Sequence, residues 1–420
     1  MNPSIQPMFY TLFGATITGN RGAESMLRAA VQTISELDKH AGFCLLSLYP
    51  NEDMQENPFS NMRILPCKPI SLVLLEFPMA LISNILLKIL PPKLVPMTRC
   101  GRTIYRSRVF IDLSGISFVD GRGYGILLYN CLTIIIPHLL HTKIVKYSQA
   151  MGSFELPINR MLAKWLLPKV SAILARGHQT MTYLENLGIP QDKLHSAMDS
   201  AFAMLVNMEN SQSALDKIPI LKDGNQSIIC VSPSSVVEEY CRANRRDYSG
   251  IIAKFIDHIT YNGIHKVLII AHSARPGKAS TKNNDLMVCH SIHQKVENKD
   301  ACFFYDLSLN AEELRAAIGH CRMLVASRFH AMISALAMCV PMMMIGWSHK
   351  YAEVLDEFQL TNCFIPHKEI DLDRILQMFN SILEREESVK NVMRQCHDRA
   401  VHSSRRNAEI ALEVSGSDVS

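Results

Sequence analysis

A marked excess of charge of one sign is missing from this chain of 420 residues. Its 43 Lys and Arg nearly balance 39 Asp and Glu, which leaves a net charge of +4. Nucleic-acid-binding proteins usually concentrate basic residues in a patch, so no nucleic acid is expected as a partner. Hydrophobic residues make up 48% of the chain and charged residues 20%, which is typical of a globular protein. Because a single core rarely grows to this length, two domains are expected.

Clustered cysteines are also missing. The twelve cysteines are spread along the chain without a CxxC pair, and several lie in apolar runs, where a reduced thiol behaves as a small hydrophobe. The spacing typical of zinc sites is therefore absent, and no metal is expected. Residues 1–7 lack the basic start and apolar core of a signal peptide. These features predict a reducing, cytoplasmic setting.

The chain has no clean hydrophobic run of 18 residues. Residues 71–96 are strongly apolar, but they are interrupted by Glu76, Pro78, Asn84, Lys88, Pro91 and Pro92. Two interpretations stay open. The favoured one is a buried or partly buried helical hairpin of the N-terminal domain. The other is an interfacial helix that makes a peripheral contact with the inner face of the cytoplasmic membrane, where a lipid-linked acceptor would lie.

Strand-like and helix-like patterns alternate along most of the sequence, which predicts doubly wound parallel sheets. The polar stretch 206–226 is rich in Asn, Ser, Gln, Asp and Gly, and it is predicted to link a domain of residues 1–205 to a second domain of residues 227–370. Residues 371–414 are highly charged and predicted helical, and they are long enough to cross back to the first domain. Residues 415–420 are expected to be a disordered tail.

Two apolar runs, 323–326 and 340–345, each end in polar and cationic side chains, and a helix rich in small residues connects them. The side chains concerned are Ser327, Arg328 and His330 after the first run, and His349 and Lys350 after the second. In open parallel sheets, ligands bind beyond the carboxyl ends of the strands, and the helix start adds a partial positive charge there. A single cation at a strand end is usually solvated, but the joint placement predicts a site for a small anion with more than one negative group.

Other predicted loops carry further candidates. The glycine-bearing turn after the first strand suits a phosphate or a sugar, but it is not a GxGxxG fingerprint, so no dinucleotide is inferred. Arg176 ends a predicted strand, and an alternative interpretation makes it a scaffold partner of Asp199. The candidate binding residues outside the main stretch are Asn20, Arg21, Gly22, Glu24, Arg176, Ser232, Ser234, Arg242, His272 and Ser273.

The C-terminal stretch resembles the signature of the polysaccharide pyruvyl transferase family. The segments that carry the resemblance are Ser327-Arg328-Phe329-His330-Ala331, Val340-Pro341 and Gly346-Trp347-Ser348-His349-Lys350-Tyr351. Earlier segments are similar to other parts of that family's pattern, although Ala23 stands where an Asp is common and Ser153 stands where a Pro is common. These segments are residues 20–24, 148–153 and 199–202, and His272-Ser273 with Asn284-Asp285.

The resemblance implies a fold and a reaction. The fold class would be α/β, with two Rossmann-like doubly wound domains in a GT-B-like arrangement and a C-terminal helical segment. The N-terminal domain would bind the acceptor, and the C-terminal domain would bind phosphoenolpyruvate. The pyruvyl group would pass to sugar hydroxyls of a cell-surface polysaccharide or its lipid-linked precursor, forming a ketal and releasing phosphate. Phosphoenolpyruvate would be a co-substrate, and no other cofactor is implied.

The side chains of the signature suit this chemistry. The planar guanidinium of Arg328 can hold a carboxylate or a phosphate through two oxygens. A histidine can move a proton near neutral pH, which makes His330 the candidate general acid or base. Lys350 would stabilise the departing phosphate as a point charge, and His349, His272 and the serine loop at 232–235 would complete the donor pocket.

Two other functions remain open. A GT-B glycosyltransferase that uses a nucleotide sugar would share the architecture and would also place cations on a diphosphate. Such an enzyme usually adds a carboxylate that binds the ribose, and Glu353 and Glu357 occupy an ordinary helix pattern instead. A non-catalytic sugar-binding protein would not need His and Lys clustered at strand ends. The acceptor sugar, the type of pyruvyl product and the oligomeric state stay open.

Overall fold

The computed structural model describes residues 9–224, 227–274, 284–346 and 349–416, with His349 described by its backbone alone. The chain divides into two units. Unit 1 contains the described residues within Met1–Thr18, Met26–Met204 and His402–Ser420. Unit 2 contains those within Gly19–Ser25 and Leu205–Val401. The turn at residues 19–25 therefore groups with the second unit, although the sequence had assigned it to the N-terminal domain.

Unit 1 contains a parallel sheet in which strands follow the order β3-β2-β1-β4-β6-β7-β8, and β5 pairs with β6. Most of its central strand residues are buried, as expected for strands that helices cover on both faces. Every residue of the longest strand, β6, is buried. The strands are β1 (Phe9–Phe13), β2 (Gly42–Ser47), β3 (Met62–Pro66), β4 (Val109–Asp112), β5 (Ile116–Val119), β6 (Ile144–Gly152), β7 (Ala172–Ala175) and β8 (Leu194–Ser196).

Seven helices lie between these strands in the described part of unit 1. They are α1 (Arg21–Leu37), α2 (Pro50–Gln55), α3 (Pro69–Leu86), α4 (Arg99–Tyr105), α5 (Tyr124–Leu139), α6 (Pro157–Leu166) and α7 (His178–Leu187). The first turn of α1 belongs to unit 2 and the remainder to unit 1. The sequence pattern predicted strands β1, β2, β4, β6 and β7 and helices α1, α6 and α7. It missed α2, β3, α4, α5 and β8, and it predicted a loop where β5 lies.

The apolar segment 71–96 contains one long helix, α3, which ends at Leu86, and a short 3₁₀ turn at Pro92–Leu94, where a hairpin of helices was favoured. The adjacent Pro91 and Pro92 explain this difference, because each lacks a backbone N–H and neither can continue a helix. Among the described residues, α3 is the one helix that is long and apolar enough to cross a membrane by length and composition, and 22% of that span is buried. Asn84 ties it to α5 by donating a hydrogen bond to the carbonyl of Leu139 at 2.7 Å.

Unit 2 has its own parallel sheet, with the order β11-β10-β9-β12-β13-β14. Counted within the unit, this order is 3-2-1-4-5-6, which is that of a doubly wound Rossmann-like sheet. The topological switch point therefore lies between β9 and β12. The strands are β9 (Ser227–Ser232), β10 (His265–Ile269), β11 (Cys302–Phe304), β12 (Met323–Ala326), β13 (Met342–Gly346) and β14 (Phe364–Pro366).

The predicted linker contains a helix that packs within unit 2. In this helix, α8 (Met208–Lys217), Ser213 and Lys217 donate to the Glu313 carboxylate at 2.6 and 2.7 Å. A polar composition marks an exposed amphipathic helix as well as a linker, which explains the difference. The remaining helices of unit 2 are α9 (Ser235–Ala243), α10 (Tyr248–Thr260), α11 (Leu286–Lys295), α12 (Ala311–Gly319), α13 (Phe329–Ala337), α14 (His349–Glu357) and α15 (Leu372–Glu384).

The C-terminal segment is helical, as predicted. After α15 comes α16 (Glu386–Ser415), whose residues as far as Val401 count with unit 2 and whose later residues count with unit 1. Within unit 1, the Asn407 side chain accepts a hydrogen bond from the Ser148 backbone N–H at 2.8 Å. Parallel α/β sheets in two units and a helical end confirm the predicted fold class at that level.

Candidate active site

The carboxyl ends of β9 and β12 meet at the switch point of unit 2. Ala326 is paired with Ser232, and the N–H of Ser327 donates to the Ser232 carbonyl at 2.9 Å. Two buried tyrosines fix the next residue: Tyr248 hydrogen-bonds the Ser327 hydroxyl at 2.8 Å, and Tyr351 donates to the Ser327 carbonyl at 3.2 Å. The backbone that presents the following side chains is therefore held firmly.

Arg328 is oriented by a buried carboxylate, that of Asp285. Its Nε donates to Asp285 at 2.7 Å, its Nη2 donates to the second oxygen, and Nη2 also donates to the Ser235 hydroxyl at 3.2 Å. Asp285 is inaccessible to solvent and also accepts the backbone N–H groups of Ser235 and Ser273. Burial disfavours the charged guanidinium, but the Asp285 carboxylate holds the pKa of Arg328 above its ordinary value. The Arg328 side chain is therefore held in one orientation, and the Asp285 carboxylate balances its positive charge.

His330 packs against the first turn of α1. A Cβ atom at Gly22 would lie 2.2 Å from His330 Nδ1, so only a glycine leaves room for the ring. The imidazole also makes a T-shaped contact with Phe329, with ring centroids 5.2 Å apart. His330 occupies the second position of α13, whose N-terminus carries a partial positive charge.

The turn itself is anchored inside unit 2. Asn20 bridges to Ser273, and its side chain accepts the N–H groups of Gly22 and Ala23, which caps α1. Arg21 and Glu24 form a buried ion pair of 2.7 Å.

That ion pair extends to the start of α12. Glu24 accepts the N–H of Ala311 at 3.1 Å, and Arg21 donates to Ser308 at 3.0 Å. Of the predicted turn residues, Gly22 lies against His330, whereas Arg21 and Glu24 hold the turn in place.

His272 follows β10 and lies buried near the same cations. Burial, and then the positive charges of His330 and Arg328, lower the pKa of His272 to about 3. Its imidazole is therefore neutral at physiological pH. Its neighbour Ser273 donates to the Gly19 carbonyl at 3.3 Å, so both residues predicted after this strand join the cluster around His330.

Lys350 lies beside two aromatic rings, those of Phe329 and Tyr351. Its Nζ is 4.9 Å from the ring centre of Phe329 and 5.5 Å from that of Tyr351. Cation–π contacts of this kind hold an ammonium over an aromatic face. The side chain of His349, predicted to complete the pocket, lies outside the described residues.

Three predicted residues do not join this cluster. Ser234 caps α9 by accepting the N–H of Val236 at 3.3 Å. Arg242 is exposed in the last turn of α9, about 10 Å along the helix from Ser235 at its start. Arg176 lies in unit 1, where it donates to Asp199 at 2.5 Å and to the Gly115 carbonyl at 2.9 Å. The scaffold pairing of Arg176 with Asp199 is present.

Sequence reasoning missed a buried polar network where the carboxyl end of β4 lies beside β6. Lys146 pairs with Asp112 at 2.6 Å, and both side chains are almost inaccessible. Burial raises the pKa of Asp112, but Lys146 outweighs it, and the net shift is downward. Gln149 donates to the Asp112 carbonyl at 2.7 Å and accepts from Ser117 at the same distance. A lysine inside the predicted strand 142–148 was the available signal.

Asp285 was missed as a site residue in unit 2. The signal was present, because Asn284-Asp285 belongs to the resemblance, but its link to Arg328 across 43 positions is a tertiary contact. Within the described ranges, no three His, Cys, Asp or Glu side chains gather in a way that could hold a metal ion.

Two parallel doubly wound units with a helical C-terminal segment define a Rossmann-like α/β protein with GT-B-like structural neighbours. The UDP-GlcNAc 2-epimerase of Neisseria meningitidis, solved with UDP-GlcNAc, is similar over 97% of this chain and 100% of its own, with a TM-score of 0.59 and 12% identity. HepE of Anabaena, solved with UDP-glucose, is similar over 97% of this chain and 99% of its own, with a TM-score of 0.57 and 8% identity. At such identities the likeness concerns the fold alone.

Residues 20–349 match the family model of polysaccharide pyruvyl transferase. The chain therefore belongs to that family, as the signature around Arg328 and His330 predicted. A curated relative, the amylovoran biosynthesis protein AmsJ of Erwinia amylovora, is 19% identical over 316 residues, which is 72% of each chain.

Proposed function

We propose that this protein transfers the pyruvyl group of phosphoenolpyruvate to two hydroxyls of a sugar, forming a pyruvate ketal and releasing phosphate. The acceptor is a cell-surface polysaccharide or its lipid-linked precursor, and the reaction takes place in the cytoplasm. Family membership and the biosynthetic role in the name of AmsJ support a transferase that acts on a polysaccharide.

One observation carries the proposal: within unit 2, the side chains of Arg328, His330 and His272 gather at the switch point of the sheet. Ligands of doubly wound sheets bind at this position. The start of α13 adds a partial positive charge. Lys350 lies beside the ring of Phe329, which also contacts His330. This surrounding suits a small ligand that carries both a carboxylate and a phosphate.

The reaction needs a proton donor and a proton acceptor, but no redox step. One sugar hydroxyl attacks the central carbon of phosphoenolpyruvate while the methylene carbon takes up a proton and becomes a methyl group. The second hydroxyl then attacks the same carbon, and the bond from that carbon to the phosphate oxygen breaks. The two hydroxyl protons are conserved: one ends on the methyl group, and the other leaves with the phosphate.

The residues divide these tasks by their chemistry. His330, positioned by Gly22 and Phe329, moves the proton between the hydroxyl and the methylene carbon. Arg328, fixed by Asp285, orients the carboxylate of the donor through its remaining N–H groups. Lys350 counters the charge on the departing phosphate. His272 is neutral, so it offers a hydrogen bond without adding another charge.

The test is to incubate the full chain with phosphoenolpyruvate and a panel of sugars, both free and lipid-linked. We expect phosphate release that depends on the sugar, and a sugar product heavier by one pyruvyl group as a ketal. Turnover of UDP-sugars instead would assign the protein to nucleotide-sugar transfer. Binding of sugars without turnover of either donor would make it a binding protein.

A further inference from the structure

We propose that unit 1 docks on an anionic lipid bilayer through an apolar face formed by α3, the start of α5 and α6. This inference concerns a surface of unit 1 and stands independently of the chemistry proposed for unit 2. The face is defined by the exposed side chains Ile70, Leu74, Leu75, Ile82, Ile85, Ile89, Tyr124, Leu128, Met161 and Trp165.

The exposure of α3 is unusual for a helix of this composition. Its mean hydropathy over Pro69–Leu86 is 1.7, yet only 22% of the span is buried. Ile70 and Leu74 are each 72% exposed, and Ile89 just beyond the helix is 73% exposed. Scattered exposed apolar residues are ordinary, but a run of large aliphatic side chains on one helix marks an interaction surface.

Neighbouring helices extend this surface. α5 packs against both α3 and α6. Tyr124 at the start of α5 is 75% exposed, and Trp165 near the end of α6 is 56% exposed. The ammonium of Lys169 lies 5.5 Å from the ring centre of Trp165. Tryptophan and tyrosine beside lysine are the side chains that favour the boundary between lipid head groups and acyl chains.

The charge around the face favours an anionic partner. Residues 68–106 contain six Lys and Arg and one acidic residue, Glu76, in a chain whose charges nearly balance. Glu76 is buried and accepts a hydrogen bond from Thr98, so it does not offset the surface charge. Residues 157–169 add three basic residues and no acidic one. A basic rim around an apolar face is the pattern that anionic lipids attract.

An arginine-lined cavity lies next to this region. It measures about 1100 Å³, and Arg63, Arg99, Arg102 and Arg106 are among its lining residues. Three of these side chains come from α4 and the loop that follows it, and the hydrogen bond from Thr98, the N-cap of α4, to Glu76 joins this helix to α3. Because guanidinium groups bind phosphate oxygens in pairs, the cavity fits the phosphate of an anionic head group.

The test is flotation of the full chain with vesicles of phosphatidylcholine alone or with about one third phosphatidylglycerol. We expect the protein to float with the anionic vesicles and to float weakly with the neutral ones. Leu74→Glu combined with Ile85→Glu should lower the vesicle-bound to free ratio by about a hundredfold or more, because two aliphatic side chains no longer enter the apolar layer. Arg99→Glu combined with Arg102→Glu should lower binding to anionic vesicles about tenfold and leave neutral vesicles unaffected.

A matched control uses Tyr261→Glu with Ile264→Glu, which introduces the same charges at side chains of unit 2 that are 91% and 60% exposed. This control should float as the wild type does. Circular dichroism and thermal unfolding check that each variant is folded. Absence of flotation in the wild type, or an equal loss in the control, would overturn the proposal. So would a dimer in light scattering that Leu74→Glu converts to a monomer, since a second copy would then cover the face.

Discussion

His330 Nδ1 lies 2.2 Å from the place that a Cβ atom at Gly22 would occupy. These residues are more than 300 positions apart in sequence, yet both belong to unit 2. Gly22 therefore leaves the space that the imidazole occupies, because any other side chain must displace either the imidazole or the first turn of α1.

We expect Gly22→Ala to lower kcat by at least about tenfold, because a histidine that moves a proton must keep its position. Gly125→Ala is the matched control, since a Cβ at this helical position meets nothing within 4 Å. Steady-state kinetics with phosphoenolpyruvate checks both variants. Equal activity in the two would show that the His330 ring can shift at no cost.

The pairing of Arg328 with Asp285 predicts a strong energetic coupling. Arg328→Met and Asp285→Asn should each lower the free energy of unfolding by about 3–5 kcal/mol, because each leaves a buried group without its partner. The double variant should lose less than the sum of the two, with a coupling of about 1–3 kcal/mol. Urea denaturation of all four proteins measures the cycle. Additive losses would mean that the pair contributes nothing specific.

The roles proposed for His330 and Lys350 predict loss of turnover without loss of fold. His330→Ala should reduce kcat by about 10²–10⁴-fold, which is the usual contribution of a positioned acid or base. Lys350→Ala should abolish measurable turnover, whereas Lys350→Arg should restore part of it because the positive charge remains. Phosphate release gives the rate, and thermal unfolding checks the fold. Activity retained in both alanine variants would refute these roles.

The Arg176–Asp199 pair in unit 1 predicts an effect on stability. Arg176→Met leaves the buried Asp199 carboxylate without its cation, and it should lower the free energy of unfolding by about 3–5 kcal/mol. The control is Lys222→Met, because Lys222 pairs with Asp216 at 2.9 Å with both side chains more than half exposed. We expect no measurable change there. Urea denaturation compares them, and equal effects would contradict the importance of burial.

His272 predicts a loss of stability in acid. Its folded pKa is about 3, while that of an unfolded histidine is about 6.5, so the unfolded chain binds the extra proton between these values. Stability from the neutral His272 is complete above pH 6.5 and decreases as the pH falls towards 3. Between pH 7 and pH 5 the wild type should lose about 2 kcal/mol that His272→Asn does not lose. Urea denaturation of both proteins at these pH values measures the loss. If the free energy of unfolding changes equally with pH in the wild type and in His272→Asn, the pKa of His272 is not lowered in the folded protein.

Much of the fold could be predicted because buried parallel strands leave a clear apolar pattern. The strands Ser227–Ser232 and Met323–Ala326 were predicted with the bounds that the structure has. Two of the missed helices have other signatures: α8 is polar and α5 is apolar nearly throughout, so neither shows the alternation on which a helix prediction depends. Tertiary packing decides such segments.

Part of the candidate site could also be predicted from the sequence, and part could not. Strand ends predicted that Ser327, Arg328 and His330 would cluster, because the carboxyl ends of parallel strands share one edge. The compensation of Arg328 by Asp285, and the contact of His330 with Gly22, depend on loops from distant parts of the sequence. Arg21 likewise hydrogen-bonds Ser308, 287 positions away. No local pattern encodes these contacts.

The turn at residues 19–25 has a consequence for engineering. Unit 2 cannot be exchanged between relatives as one contiguous cassette of residues 205–401, because the piece that fills the space beside His330 and bridges to Ser273 comes from the start of the chain. A chimera built at that boundary would combine a foreign turn with a native imidazole. A chimera of this protein should instead transfer residues 19–25 together with residues 205–401 from the same parent.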